Sequence, residues 1–428
     1  MSFIFSHLEQ IKAQKRFDNL EALLAYSDTK SISVQSNHIR VLQAKKTKLA
    51  AKLAIADPVA SISGNFTNNT RLPVNLFPAE IFGGQKGEFR EVQTGVQYNT
   101  ASNQNLDIKL LNFEGWQNYK LSDINIQISE TESWLNLKNL HENMAAVYYN
   151  IIQLNAQLES TQQNLLVADT LLQVAENKYK QGIVKQQDLN DSRVNRLNIM
   201  ENINQIQHLL KQNYLSLKIL ADIPDAEEVE ITEKVATNFP ITKQDVQLND
   251  LLIQSNLLKE KYALESIDKA RKSMYPTLSF VAGNSYNQYN NDFTLFGGKW
   301  ITSNYVGMKL NFALPNANTI SNRTKAYFDY ELAKKNTQQA QITADLTTRQ
   351  LVNDFEKAVS QLQSHVDILE IQQDTYEKNK NLYSEGLISI DRTLTSFNAM
   401  LNAQYSLISS KVSVMLAQSK IVFNNKIR

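Results

Sequence analysis

The chain of 428 residues lacks cysteine entirely. Disulfide bonds, thiolate catalysis and cysteine-based zinc sites are therefore excluded, and the sequence as given offers no cysteine for a lipid anchor. Glycine and proline, with 12 and 7 occurrences, are scarce for a chain of this length. Because these two residues are the main breakers of helices, their scarcity predicts a mainly α-helical protein.

An excess of charge of either sign is also missing, since 44 basic residues stand against 43 acidic ones. No broad positive field is available for a phosphate backbone, so we expect no nucleic-acid partner. The longest apolar runs fall short of the roughly 20 residues that a membrane-spanning helix needs. Residues 1–5 lack the basic and apolar regions of a signal peptide, and we expect that such a peptide has been removed.

Recognisable catalytic motifs are missing as well. The five histidines are scattered, and no pair of them has the spacing of a zinc site. The sequence contains no phosphate-binding loop, no glycine fingerprint of a dinucleotide site and no nucleophile elbow. We therefore expect no enzymatic activity, no metal and no cofactor.

What the sequence does contain is an internal duplication, because three landmarks recur in the same order. The paired segments are 53–66 with 271–286, 107–113 with 307–312, and 178–198 with 382–402. Coincidence explains one such pair far more easily than three. The predicted organisation is a first repeat at 1–221, an inter-repeat segment at 222–249 and a second repeat at 250–428.

Each repeat contains one long helical pattern, at about 114–180 and 316–382. Apolar residues alternate spacings of three and four along both patterns, which is the seam of a coiled coil. At 1.5 Å per residue each helix is about 100 Å long, so we expect a helical column. Shorter helices are predicted near 30–56, 186–221, 246–274 and 389–424. In each repeat the two short helices together approach the long one in length, which favours end-to-end stacking over an ordinary bundle.

The smaller β part consists of strands near 58–68 and 90–112 in the first repeat and near 276–290 and 304–314 in the second. Apolar residues alternate with small or polar ones, as in barrel strands that contact lipid on one side. A soluble hairpin packed on helices fits this alternation equally well. Four strands cannot close a barrel, so strands in a membrane require two copies with eight strands or three with twelve.

The two predicted helix reversals have the most specific sequence pattern. Residues 179–184 and 383–388 both read Tyr-x-x-Gly followed by an apolar residue. Together with the proline-led strands at Pro58 and Pro276 and the duplicated helix–hairpin–helix order, they resemble the TolC-like family of outer-membrane efflux proteins. The resemblance covers roughly residues 30–424.

This resemblance implies a homotrimer whose four transmembrane strands per chain close a twelve-stranded barrel, continued by a long coiled-coil α-barrel through the periplasm. The implied function is a passive outer-membrane exit duct for drugs, metabolites or proteins in a Gram-negative tripartite efflux or type I secretion system. Its partners would be outer-membrane lipid and a periplasmic adaptor that connects the reversals to an inner-membrane pump. The residues implied in adaptor docking are Tyr179, Gly182, Ile183, Tyr383, Gly386 and Leu387.

The resemblance also places a constriction at the reversals, where the family carries carboxylates six and sometimes nine residues after the glycine. Asp188 and Asp191 match this pattern in the first repeat, whereas Arg392 and Thr395 occupy the positions in the second. Asp391 lies one residue earlier. One hypothesis is a latch in which Asp188 or Asp191 pairs with Arg392 or Arg193. The alternative is solvated surface charge worth little.

The segment 222–249 resembles the family's equatorial belt around the helical barrel, which the first 30 residues, including Phe17, Leu20 and Leu23, are expected to join. Two other functions stay open from the sequence. One is a soluble coiled-coil scaffold capped by hairpins, and the other is a pore-forming toxin that inserts its hairpins into a membrane.

Overall fold

The computed structural model describes residues 14–235, 245–295 and 297–427. Most of these residues are helical, as predicted. The helices are α1 (Leu20–Lys30), α2 (Ile32–Leu53), α3 (Phe113–Lys180), α4 (Gln186–Ala221), α5 (Leu251–Lys272), α6 (Ala317–Ser384) and α7 (Ile390–Lys426). The strands are β1 (Gln14–Phe17), β2 (Val59–Asn68), β3 (Val74–Pro78), β4 (Phe89–Gln93), β5 (Tyr98–Leu111), β6 (Glu228–Ile231), β7 (Thr277–Asn290) and β8 (Trp300–Asn311).

The long helices α3 and α6 confirm the prediction of two matched rods, since each has 68 residues and therefore a length of about 100 Å. Seam residues of α3 such as Met144, Ile151 and Thr161 are fully buried, and Phe355 and Leu362 of α6 are buried too. Within the described residues no helix combines the length and the apolar character needed to cross a bilayer.

Two compact units make up the chain. The first consists of residues 1–42, 128–257 and 335–428, and the second consists of 43–127 and 258–334. The first unit holds the helix reversals and the buried hydrophobic clusters.

The short helices of the first repeat meet end to end, as predicted. Asp222 closes α4 in the left-handed conformation, with φ of 53°. Its Oδ2 accepts hydrogen bonds from the Ile32 N–H at 2.8 Å and from the Ser31 hydroxyl at 2.9 Å. The C-cap of α4 therefore satisfies a free N–H group at the start of α2.

The second repeat makes the equivalent joint with different atoms. The Asn249 side-chain amide donates to the carbonyls of Asn424 at 2.8 Å and Ile427 at 2.7 Å, while its oxygen accepts from the Leu251 N–H at 3.2 Å. One side chain thus binds the last carbonyls of α7 and caps the start of α5.

The N-terminal segment pairs with the inter-repeat segment through a short parallel sheet, in which Phe17 lies opposite Ile231. Leu20 and Leu23 are buried in the same cluster as Tyr148 of α3. This pairing confirms the prediction that the N-terminal segment associates with the inter-repeat segment. The belt around a barrel stays a prediction, and Pro240 lies outside the described residues.

In the second unit, four strands form an antiparallel sheet in the order β2-β5-β7-β8. The prediction of one strand over 90–112 is wrong: β4 pairs with β3 in a separate sheet, and β5 begins only at Tyr98. Gly95, at φ of 100°, interrupts the run because it adopts a conformation that extended strands do not contain. The last strand is also shifted from the predicted 304–314, because it already begins at Trp300.

The register divides this sheet into two unlike faces. We call one the apolar face, defined by Leu278, Phe280 and Ala282 of β7 with Leu310, Met308 and Val306 of β8 opposite them. The other, the polar face, carries mainly serine and asparagine. The exposed fractions of Val306, Met308 and Leu310 are 72%, 73% and 70%. A continuous exposed apolar surface of this kind marks a contact with lipid or with another protein.

Candidate functional site

Two glycine turns, at Gly182 and Gly386, reverse the chain between α3 and α4 and between α6 and α7. The φ angles of the two glycines are 71° and 78°, in the left-handed region that residues with a Cβ disfavour. Apart from the glycine and its two chain neighbours, no described residue has an atom within 4 Å of the position that a Cβ would occupy at either glycine. The requirement for glycine is therefore one of backbone conformation and not of space.

The hydrogen bonds at both turns form the same C-cap. The Ile183 N–H donates to the Lys178 carbonyl at 2.9 Å, and the Gly182 N–H donates to the Tyr179 carbonyl at 2.9 Å. In the second repeat the Leu387 N–H donates to the Leu382 carbonyl at 2.9 Å, and the Gly386 N–H donates to the Tyr383 carbonyl at 3.1 Å. This pair of bonds is the Schellman motif, which satisfies the free carbonyls of a helix end.

The apolar residues that follow the glycines face solvent. Ile183 is 63% exposed and Leu387 is 66% exposed, although such residues often pack back onto their own helix in this motif. Each reversal therefore presents an aliphatic side chain that is free to contact a partner.

The two tyrosines of the repeated pattern differ sharply. Tyr179 is 40% exposed, whereas Tyr383 is 3% exposed. The Lys178 ammonium lies 4.2 Å from the centre of the Tyr383 ring and donates to the Tyr383 carbonyl. Lys178 thereby joins the end of α3 to the end of α6, and its charge interacts favourably with the ring face and with the C-terminal carbonyls.

The Tyr383 hydroxyl is buried without a hydrogen-bond partner among the described residues. Burial raises the pKa of this phenol, and the negative charge of Asp188 raises it further. Asp188 of the first repeat therefore lies within electrostatic reach of Tyr383 of the second. The predicted site residues from the two repeats are brought together at this point.

Asp188 also has a structural role that the sequence interpretation missed. Its Oδ2 accepts a hydrogen bond from the Lys185 N–H at 2.9 Å, which forms one half of a capping box at the start of α4. The signal was available in the sequence, because an acidic residue three positions after a helix start is typical of this motif.

The charged residues of the predicted latch do not pair with one another among the described residues. Arg193 contacts Glu176 at 3.4 Å and not an aspartate of the constriction. Asp391 and Arg392 are exposed in the first turn of α7. Among the described ion pairs none joins Asp188 or Asp191 to Arg392 or Arg193, so the latch stays a prediction.

A dense apolar cluster supports the second reversal. It contains Ile390, Leu394 and Phe397 of α7 with Tyr376 and Tyr383 of α6. Ile390 and Phe397 are almost completely buried, and the Tyr376 and Phe397 rings lie 5.2 Å apart. Burial raises the pKa of Tyr376 to about 12, with a smaller contribution from Glu377.

In the first reversal the following helix, α4, buries fewer large apolar side chains among the described residues than α7 does. Val194 and Leu197 of α4 are more than half exposed, and Met200 is exposed on the same side. This spacing of three is typical of a helix stripe that packs on a neighbour.

No cluster of metal-binding side chains occurs in the parts of the chain that the structure describes. The arrangement at the reversals consists of capped helix ends, exposed aliphatic residues and a few carboxylates. Such a surface can bind a partner and change conformation.

Comparisons with known proteins find similarity to outer membrane efflux proteins and channels. Residues 243–421 match the family model of outer membrane efflux proteins. None of the curated proteins matches the sequence.

Several solved structures share the fold over most of the chain. The CmeC outer membrane channel of Campylobacter jejuni has 16% sequence identity and a TM-score of 0.70, with 95% of this chain and 85% of that one covered. The outer membrane protein VceC of Vibrio cholerae has 15% identity and a TM-score of 0.68, with 95% of each chain covered. The open state of the MtrE outer membrane channel of Neisseria gonorrhoeae has 12% identity and a TM-score of 0.71, with 95% and 88% covered.

Proposed function

We propose that this chain belongs to the TolC-like family of outer membrane efflux proteins, which the family-model match and the shared fold support, and that three copies form a passive exit duct through the outer membrane and periplasm. The duct works with a periplasmic adaptor and an inner-membrane pump, which supply the energy and choose the cargo. The chain itself performs no catalysis in this proposal. The observation that carries it is the exposed apolar face of the four-stranded sheet.

The edges of the sheet support assembly from several copies. The order β2-β5-β7-β8 leaves one side of β2 and one side of β8 without a strand partner among the described residues. Unpaired backbone groups are not tolerated in the hydrocarbon region, and four strands are too few to close a barrel. Pairing of β8 with β2 of the next copy removes both edges, and three copies give twelve strands.

The polar face supports a water-filled interior. Along β7, Ser279, Ser285 and Asn287 belong to this face, and Ser303 of β8 lies opposite Ser285. Alternation of lipid-facing apolar and lumen-facing polar residues is the pattern of transmembrane barrels. Charges on this face occur near the helix end of the sheet, where Lys109 pairs with Asp57.

The reversals support docking of an adaptor. Ile183 and Leu387 extend from capped helix ends, and Lys178 holds the two ends together. Exposed aliphatic anchors on a preorganised surface bind a partner with a small entropic cost. Asp188, Asp191, Asp391 and Arg392 are then the candidates for the constriction. If Arg392→Ala leaves conductance and efflux unchanged, the latch hypothesis fails.

Single-channel recording of the detergent-purified oligomer in a planar bilayer tests the proposal. We expect discrete, long-lived conductance steps that need no trigger. Met308→Arg places a charge on the apolar face, which costs about 2–4 kcal/mol near the bilayer midplane, and should suppress insertion. Ser303→Arg, on the polar face of the same strand, is the matched control and should still insert.

Two outcomes would replace the proposal. A protein that stays water-soluble and silent would be a soluble coiled-coil scaffold. Pores that form only after an activating trigger would indicate a pore-forming toxin.

A further inference from the structure

The apolar face of the sheet changes its chemistry along the strands, and this change points to a lipid-binding site. The inference rests on the proposed function, because it takes this face to lie against the membrane. Next to the helices, the face carries a band of apolar side chains. Its members, from neighbouring strands, are Leu278, Phe280, Ala282, Val306, Met308, Leu310, Leu106, Ile108 and Ala60.

Further from the helices, a row of amides interrupts the apolar band. Asn284 of β7 lies opposite Asn304 of β8 and opposite Gln104 of β5, so three amides adjoin across three strands. We call these three residues the amide row. The Asn284 side-chain oxygen has no hydrogen-bond partner among the described residues. An unsatisfied amide in hydrocarbon is costly, which makes a membrane boundary the favourable depth for this row.

The distance along the strand agrees with this depth. From Phe312 to Asn304 the chain rises by about 27 Å, which a strand tilt of about 40° reduces to about 21 Å. The apolar band of a transmembrane barrel is about 25 Å tall. The amide row therefore lies near the end of the hydrophobic belt that is remote from the helices.

Beyond the amide row the same face stays uncharged. In the next row Tyr286 lies between Ser102 and Thr302. In the row after it Gln288 lies between Trp300 and Thr100, and Phe66 lies opposite Thr100. The rings of Phe66, Tyr98 and Phe293 lie 5.6 to 5.9 Å apart at the loop end of the sheet. The surface thus offers rings, hydroxyls and amides, but neither cations for a phosphate nor anions for an amine.

A shallow groove crosses the sheet at the amide row. Its volume is about 330 Å³, and its lining combines Gln104, Asn284 and Asn304 with the apolar Ala60, Leu106, Ala282 and Val306. The two alanines leave space where neighbouring positions carry large side chains. Ile62, opposite Gln104, also lines the groove, and amides next to apolar side chains are the features of a site for an amphipathic ligand.

From these features we propose that the groove binds the junction between the sugar and the acyl chains of a glycolipid. The amides exchange hydrogen bonds with sugar hydroxyls, because an amide both donates and accepts. The apolar lining contacts the first part of an acyl chain, and the aromatic rings beyond cover the sugar ring. A phospholipid recognised by its charge is not the ligand, because the described strand residues of this face carry no charge.

Native mass spectrometry of the purified trimer tests the proposal. The protein is placed in phosphatidylcholine nanodiscs that contain a minor fraction of glucosyl diacylglycerol, or the same fraction of phosphatidylglycerol. We expect wild-type trimers to retain the glucosyl lipid at least about fivefold better than phosphatidylglycerol, the ratio that corresponds to about 1 kcal/mol. The double variant Gln104→Leu/Asn304→Leu should lose this preference.

Two further variants isolate the site. Asn103→Leu changes an amide on the polar face of the same strand and should keep the preference. Ala282→Leu fills the groove but leaves the amides in place, and it should abolish the preference even if the double variant fails to insert.

Equal retention of the two lipids by the wild type would overturn the proposal, as would retention that survives both Gln104→Leu/Asn304→Leu and Ala282→Leu. Conductance of the same preparation in a pure phosphatidylcholine bilayer distinguishes failure of the lipid site from failure of the proposed duct. A conducting trimer without glycolipid preference rejects only the lipid site. A preparation that does not conduct rejects the proposed duct.

Discussion

The two helix reversals have the same backbone and very different surroundings. Both end in a glycine with positive φ and in the same two hydrogen bonds. The tyrosine three residues before the glycine is buried in the second reversal and exposed in the first. Equal turn geometry therefore does not imply equal anchoring, which depends on the side chains of the helix that follows.

The helices after the two turns explain the difference. α7 buries Ile390, Leu394 and Phe397 within its first turns, whereas the corresponding part of α4 buries Leu189 and Ser192 and leaves Val194 exposed. Burial of large apolar side chains is the main source of local stability. We therefore expect the first reversal to open locally at a lower free energy than the second.

The largest loss of local stability is expected for a substitution in the buried cluster of the second reversal. Phe397→Ala removes a fully buried ring and should lower the local opening free energy by about 3–5 kcal/mol. Amide hydrogen exchange of residues 376–397 measures this change. Leu197→Ala, at an exposed position of α4, is the control and should leave exchange in the second reversal unchanged. Similar exchange in the two variants would contradict the conclusion that the buried side chains of α7 stabilise the second reversal.

Lys178 gives the next largest effect, because it connects the two reversals. Lys178→Met removes its hydrogen bonds to the Tyr383 and Ser384 carbonyls and its contact with the Tyr383 ring. We expect a loss of about 1–2 kcal/mol in the opening free energy of the second reversal. Exchange of the 385–388 amides should speed up accordingly. Lys180→Met, at the exposed end of α3, should not alter them; an equal effect would show that only overall charge matters.

Substitution of the two turn glycines should destabilise both turns equally, in contrast to the substitutions of Phe397 and Lys178. Gly182→Ala and Gly386→Ala each force a Cβ into the left-handed region without any steric contact, which costs about 1 kcal/mol. Thermal unfolding and local hydrogen exchange of the two variants provide the measurement. A difference well above this cost would show that the surroundings of the glycines strain one turn more than the other.

The smallest effect concerns pH. The pKa of Tyr383 is raised above the ordinary 10.0 by burial and by Asp188, so the folded state holds its proton more tightly than the unfolded state. The resulting stability is present below pH 10.0 and is lost as the pH rises through the raised pKa. We therefore expect the second reversal to lose stability in strongly alkaline solution.

Asp188→Asn removes the negative charge near Tyr383 and should lower the pKa of this phenol, while burial keeps it raised. Phenolate absorbance, taken as the difference from the Tyr383→Phe variant, follows the titration. Asp191→Asn is the control. A shift of the same size in both variants would contradict a specific electrostatic effect of Asp188 on Tyr383.

Prediction from sequence succeeded where the information is local and repeated. The bounds of α3, α4 and α6 lie within two residues of the predicted ones, because heptad spacing and glycine stops act over a few residues. The strand predicted over 90–112 failed because one glycine with positive φ, Gly95, divides the run. Whether a glycine in such a run is extended or left-handed depends on its surroundings.

The sequence by itself determined the helices, the alternation of the strands and the duplicated turns, since these follow from propensity and periodicity along the chain. Only the tertiary structure decided that Lys178 binds the other repeat, that Asp222 and Asn249 join helix ends, and that Tyr383 is buried while Tyr179 is exposed. These contacts join residues far apart in sequence. Their existence depends on the packing of whole elements, and periodicity along the chain carries no information about it.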